Sequence, residues 1–175
     1  MPTEYILAYH CAPAFAGIKP SNIASCSKRE NPNITVQIKM LNEKLNKNDI
    51  YIDVLCECGE RVLLMVYRKQ KLCEYLQIDD IKSFLCDNGY PKEFSLMKYL
   101  AILKSRIYAQ RLMNKEFPHE IGAFLGYPLH DIYGFINHKH QGCLLTGEWK
   151  VYENTEQAKK LFLSLIHISE PTRHA

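Results

Sequence analysis

The stretch Phe117–Phe135, FPHEIGAFLGYPLHDIYGF, gathers side chains able to do chemistry: adjacent His119 and Glu120, then Tyr127, His130 and Asp131. A histidine beside a carboxylate can accept or relay a proton near neutral pH. A zinc-protease helix is excluded, because its second histidine belongs four residues after His119, where Ala123 stands. Glu120 fits a plain role equally, since a carboxylate in a helix's first turn is favoured by the helix dipole. A second group is His10-Cys11, followed by Lys19 and Asn22. An imidazolium or lysine nearby lowers a thiol pKa and makes Cys11 a nucleophile or redox thiol. Neighbours on a strand point to opposite faces, however, so the partner of Cys11 has to come from elsewhere, as His119 does. The alternative is a buried cysteine acting as a small hydrophobe.

Lys19 and the N–H groups of the Ala16–Asn22 turn suit an anion, although no GxGxxG or GxxxxGK[ST] accompanies them. Arg68, just past an apolar run, is a further anion candidate, against the alternative of a solvated arginine. Cys56, Cys58, His138, His140 and Cys143 are zinc-type ligands, but a C-x-C pair is not a recognised zinc spacing. His138–Gln141 fits a polar turn more simply, so no metal site is assigned.

These groups need elements to hold them. Pro118 suits a first helical turn, Ile121, Phe124 and Leu125 share a face, and Gly126 ends the helix. Pro128 opens a second short helix with Leu129, Ile132, Tyr133 and Ile136 on its apolar side, His130 and Asp131 off it. Gly122, Gly126 and Gly134 permit close backbone approach. Upstream, Tyr5–His10 reads as a strand, broken by Pro13 and Gly17, and Pro20 as the start of a short helix carrying Ile23, Ala24 and Cys26. Ile34, Ile38, Leu41 and Leu45 mark a helix. Ile50–Cys58 alternates, with Ile52, Val54, Cys56 and Cys58 on one face. After the Gly59-Glu60 turn, Val62–Tyr67 is apolar throughout and therefore central. Helices follow at Lys69–Leu76, Asp79–Asp87 and about Lys92–Asn114, the last with Leu96, Leu100, Leu103, Ile107 and Met113 inward and a solvated basic face. Gly142–Tyr152 reads as a strand pair, and Thr155 caps a last helix.

The chain of 175 residues has 47% hydrophobic residues and a net charge of +3. It is thus expected to be one globular domain, with neither nucleic acid nor membrane as partner. Seven cysteines without framework spacing fit reduced thiols in a cytoplasm. Leu163–Arg173, LSLIHISEPTR, reads as a translated transposase sequencing adapter, so Leu163–Ala175 is expected to be a non-native tail on a domain spanning 1–162. The expected fold is α+β (or α/β), a small mixed sheet flanked by helices, with strands at Tyr5–His10, Ile50–Cys58, Val62–Tyr67 and within Gly142–Tyr152.

His10-Cys11-Ala-Pro, Ala16-Gly17-Ile-Lys19, Asn22, Val66-Tyr67-Arg68, Phe117–Phe135 and Gly147-Glu-Trp149-Lys150-Val-Tyr152 occur in one order. On them the chain resembles the family called domain of unknown function 3793, over about Tyr5–Phe162. The resemblance implies a cytosolic bacterial protein of the kind found in anaerobic Firmicutes, without an established activity. His10, Cys11, Lys19, Asn22, His119, Glu120, Tyr127 and Asp131 match its motif positions.

Two function classes follow. One is a domain binding a small, anionic ligand between the His10–Asn22 loop and the His119–Asp131 corner, with Arg68 nearby and the cofactor unknown. Its enzymatic version uses Cys11 as nucleophile and His119 or Glu120 as proton acceptor. The other is a regulatory module whose corner helices meet a protein partner.

Overall fold

The computed structural model describes residues 1–139 and 141–169. A three-stranded sheet of β1 (Ser21–Ser27), β2 (Ile50–Cys58) and β3 (Arg61–Arg68), in the order β1-β3-β2, divides the core. Both pairings are antiparallel. On one face lie α1 (Thr3–His10), α2 (Ala12–Phe15) and α3 (Ile34–Leu45). On the other lie α4 (Lys69–Leu76), α5 (Asp79–Asp87), α6 (Leu96–Leu112), α7 (Ile121–Phe124) and α8 (Leu129–Asn137). The chain is thus α+β, in one compact domain.

The position of β3 follows from its composition. Val62, Leu64 and Val66 pack with Ile6, Leu7 and Ile38, while Leu63, Met65 and Tyr67 pack with Leu72, Leu103 and Phe124. Only a strand buried on both faces can use six consecutive apolar residues. In β2 the alternation changes face at a bulge between Val54 and Cys56. Ile52 belongs to the α1–α3 side, whereas Leu55 and Cys56 belong to the α4–α8 side, so the single apolar face expected for Ile52–Cys58 is divided.

Two expectations are corrected. Tyr5–His10 is helix, not strand. Tyr5 and Tyr9 face solvent, Leu7 and Cys11 are buried one helical turn apart, and the Cys11 N–H donates to the Leu7 carbonyl at 2.8 Å. A six-residue apolar run does not separate the two periods. Conversely, Ser21–Ser27 is strand where a short helix was expected. Asn22, Ala24 and Cys26 are buried at a period of two, and the segment pairs with β3 from Ser21 opposite Tyr67 to Ser27 opposite Arg61.

α6 begins at Leu96, with Ser95 at its N-cap, later than expected, and Met113 beyond its end is exposed. β4 (Leu145–Thr146) and β5 (Lys150–Val151) form a separate antiparallel ribbon. α9 (Thr155–Ser169) packs beneath it through a small cluster of Trp149, Val151, Ala158 and Leu165. Among the described residues no helix is long and apolar enough to cross a membrane.

Candidate functional site

The corner between α7 and α8 is built on close approach. Gly126 has φ +76°, and a Cβ there would lie 2.7 Å from Pro20 Cδ. Ser21 Oγ donates to the Phe124 carbonyl at 2.6 Å, and Lys19 Nζ sits 5.2 Å from the centre of the Tyr127 ring. The His10–Asn22 loop and the corner therefore meet through Lys19, Pro20 and Ser21.

Below this contact lies a cavity of about 690 Å³. Its apolar surface comes from Ile107, Ile121 and Ile132, its aromatic walls from Phe117, Tyr127, Phe135 and Trp149. Arg111, Lys115 and Lys150 line it as well, with Glu116 and His119. The Arg111 guanidinium stands 5.1 Å from the Phe117 ring centre and Lys150 Nζ 5.7 Å from that of Phe135. The exposed His119 meets Phe135 edge-on at 5.5 Å. Burial, with the Glu148 carboxylate second, pushes the Tyr127 phenol up to about 12, so it is a neutral donor at physiological pH.

Asp131 fastens the ribbon to the corner. Expected off the apolar side of its helix, it is instead buried, accepting from Trp149 Nε1 at 2.8 Å and from the backbone N–H groups of Tyr152 at 2.8 Å and Glu153 at 3.3 Å. Polar residues turn inward when fixed donors await them. Gly134 makes room for this docking, since a Cβ there would sit 2.4 Å from Tyr152 Cγ. Glu120 is also buried and is held by Arg106, whose Nη1 donates to Oε1 at 2.6 Å while Nη2 donates to the Asn88 carbonyl at 2.6 Å.

A family model described as protein of unknown function, DUF3793, matches residues 7–173. The chain belongs to the DUF3793 family. That span reaches across residues 163–173 of the segment set apart above as a tail. No curated protein and no solved structure matches the chain.

The other group of family motif residues has a different fate in this DUF3793 chain. His10 is exposed at the end of α1 against the edge of Tyr9. Cys11 is fully buried, and burial pushes its thiol up to about 12, reinforced by Cys26 and opposed by Lys19. Neither residue lines the cavity that holds His119. The turn N–H groups expected to hold an anion are spent internally, Ile18 and Lys19 donating to the Pro13 carbonyl and Gly17 to that of Ala14. Asn22 Oδ1 accepts from the Ala14 N–H at 3.0 Å. Arg68 donates through Nε and Nη2 to the Phe15 carbonyl and through Nη1 to that of Asn48, and Lys71 Nζ donates to that of Gly17. Lys19 is buried, and desolvation lowers its pKa, opposed by Glu148 and Cys11.

Cys56 is buried and His138 stacks on Tyr152, while His140 lies outside the described residues. Among the described residues no three His, Cys, Asp or Glu side chains gather as a metal site. Arg111, Lys115, Trp149 and Lys150 line the cavity without having been named as site residues from the sequence, although Trp149 and Lys150 stand in one of the family motifs. Arg111 reads there as part of a solvated helix face, and the signals for the others were the lone tryptophan and its lysine neighbour.

Proposed function

We propose that this chain binds a small anionic ligand in the cavity of the Phe117–Phe135 corner. The observation that carries the proposal is an apolar, aromatic-walled cavity lined by Arg111, Lys115 and Lys150 against the carboxylates of Glu116 and Asp131, the second of which already accepts three N–H groups. Apolar walls with a few placed charges are the usual composition of small-molecule sites. His119 and Tyr127 are the polar groups able to orient the ligand. Lys19, Asn22, Arg68 and Asp131 act behind them by shaping the loop and holding the ribbon. Cys11 takes no part in this reading, because it is fully buried and does not line the cavity. Seven unpaired cysteines suit a reducing bacterial cytoplasm.

Native mass spectrometry of the purified protein with a library of small acids and matched amines tests this. One-to-one adducts with acids, lost in Arg111→Ala/Lys150→Ala while the melting temperature holds, are the expected result. Adducts with neither class, or identical adducts in the variant, would overturn it. A protein-docking reading would then take over. It rests on Tyr133 and Ile136, which face solvent on α8, together with exposed Leu144.

A further inference from the structure

The walls of the cavity restrict the ligand more narrowly than its charge does. Phe117, Tyr127, Phe135 and Trp149 all face it. Two of these rings already carry a cation over one face, Arg111 on Phe117 and Lys150 on Phe135. A ring face beside a positive charge receives a flat π-system that bears an acid, whereas an alkyl chain uses only the apolar area. The rings are also held in place before any ligand arrives. Trp149 is fixed by its N–H bond to Asp131, and the Tyr127 ring lies 5.2 Å from the indole at a tilt of 31°. Gly122 lets Tyr127 and Ile132 approach the α7 backbone, with a Cβ there only 3.1 Å from both side chains. Pre-set walls lower the entropic cost of binding a rigid ligand most. A volume of about 690 Å³ would leave a benzoate-sized acid mostly surrounded by void and suits a larger, multi-ring molecule.

We infer that the ligand is a flat, fused-ring aromatic carrying a phosphate or carboxylate, of about mononucleotide size, with its rings among Trp149, Tyr127 and Phe135 and its acid toward Arg111, Lys115 and Lys150. This rests on the anion-binding function proposed above and names the class of ligand for that site.

Three probes separate the parts: flavin mononucleotide (flat and phosphorylated), riboflavin (flat, no phosphate) and octyl phosphate (phosphate, no ring). Binding is read by calorimetry and by quenching of the only tryptophan, Trp149, which lines the cavity. Flavin mononucleotide is expected to bind at least about tenfold more tightly than either other probe and to quench Trp149. In Phe135→Leu, which keeps an apolar side chain but removes the ring, that advantage over octyl phosphate should shrink. Octyl phosphate binding as tightly as the flavin nucleotide would overturn the aromatic class and leave the anion site standing. Riboflavin binding as tightly as its phosphate would overturn the anion site, and with it the class inferred here. Silence from all three would overturn both. Circular dichroism of Phe135→Leu confirms that the fold is intact before its binding is compared.

Discussion

The His10–Asn22 loop and the Phe117–Asp131 corner start from similar ingredients: a histidine, a second ionisable group beside it, and glycines and prolines that bend the chain. In the loop those ingredients are consumed by folding. Cys11 is buried, Asn22 holds the Ala14 N–H, the turn closes on its own carbonyls, and Arg68 and Lys71 clamp it from outside. In the corner two carboxylates are consumed in the same way, Glu120 by Arg106 and Asp131 by the ribbon, but His119 and Tyr127 remain on a cavity wall. Similar residue types thus end in different places, the loop's inside the scaffold and several of the corner's, Asp131 included, along a cavity wall. The loop serves the corner by carrying Lys19 and Pro20 to it.

The sharpest way to break this comparison is to remove the fastening on the corner side. Asp131→Ala leaves the Trp149 and Tyr152 N–H groups without their acceptor, an expected loss of roughly 2–5 kcal/mol in urea unfolding. The emission of Trp149 should move to the red as the ribbon loosens. A loss under about 1 kcal/mol, the range of a surface change, would show that the ribbon is held elsewhere.

On the loop side the test is alkaline. Burial raises the Cys11 thiol from its ordinary 9.0 to about 12. Below pH 9 both folded and unfolded chains carry the proton, so this group contributes no pH dependence there. Between about 9 and 12 only the unfolded chain loses it, so stability falls as pH rises, by roughly 4 kcal/mol at the upper end. Tyr127 adds a loss of the same sign. Lys19, whose folded pKa is lowered, acts oppositely and gains stability as pH approaches 10.5. Measured as unfolding free energy against pH, Cys11→Ala should lessen the fall without abolishing it, because burial also raises Tyr67, Tyr90 and Cys26. Alkylation of Cys11 in the folded protein should be slow and equally so in His119→Ala. Fast labelling that slows in that variant would couple the two regions chemically after all.

A smaller effect tests their contact. Gly126→Ala meets both a positive φ and Pro20, for an expected cost of about 2–4 kcal/mol, whereas Gly59→Ala, also at positive φ but in open space, should cost about 1–2. Equal melting temperatures for the two variants would mean that the loop and corner do not press on each other. Smallest of all, deleting Ser169–Ala175 should move the melting temperature by less than about 2 °C. A drop of many degrees would show that this segment belongs to the native core.

Much of the scaffold was legible because its signals are local. α4 and α5 lie where their helical periodicity puts them, the β2–β3 hairpin turns at Gly59-Glu60, and the apolar run of β3 marks the central strand. The two stubby helices of the corner follow from Pro128 and Gly126, whose backbone preferences act without tertiary help. Tyr5–His10 and Ser21–Ser27 were misread because short runs carry too few periods to distinguish helix from strand, and pairing with β3 decided the second. The α+β class, the order of most elements and the family are therefore properties of the sequence, carried by spacing, composition and motif order. Which ionisable groups line the cavity was settled only by packing. Asp131 turns inward because Trp149, 18 residues away, presents its N–H there. Arg111, Lys115 and Lys150 come to one cavity from α6, the loop after it and the ribbon, and no spacing records that convergence. Hydrogen bonds and charges select partners by distance in space, and that distance exists only after the chain has folded.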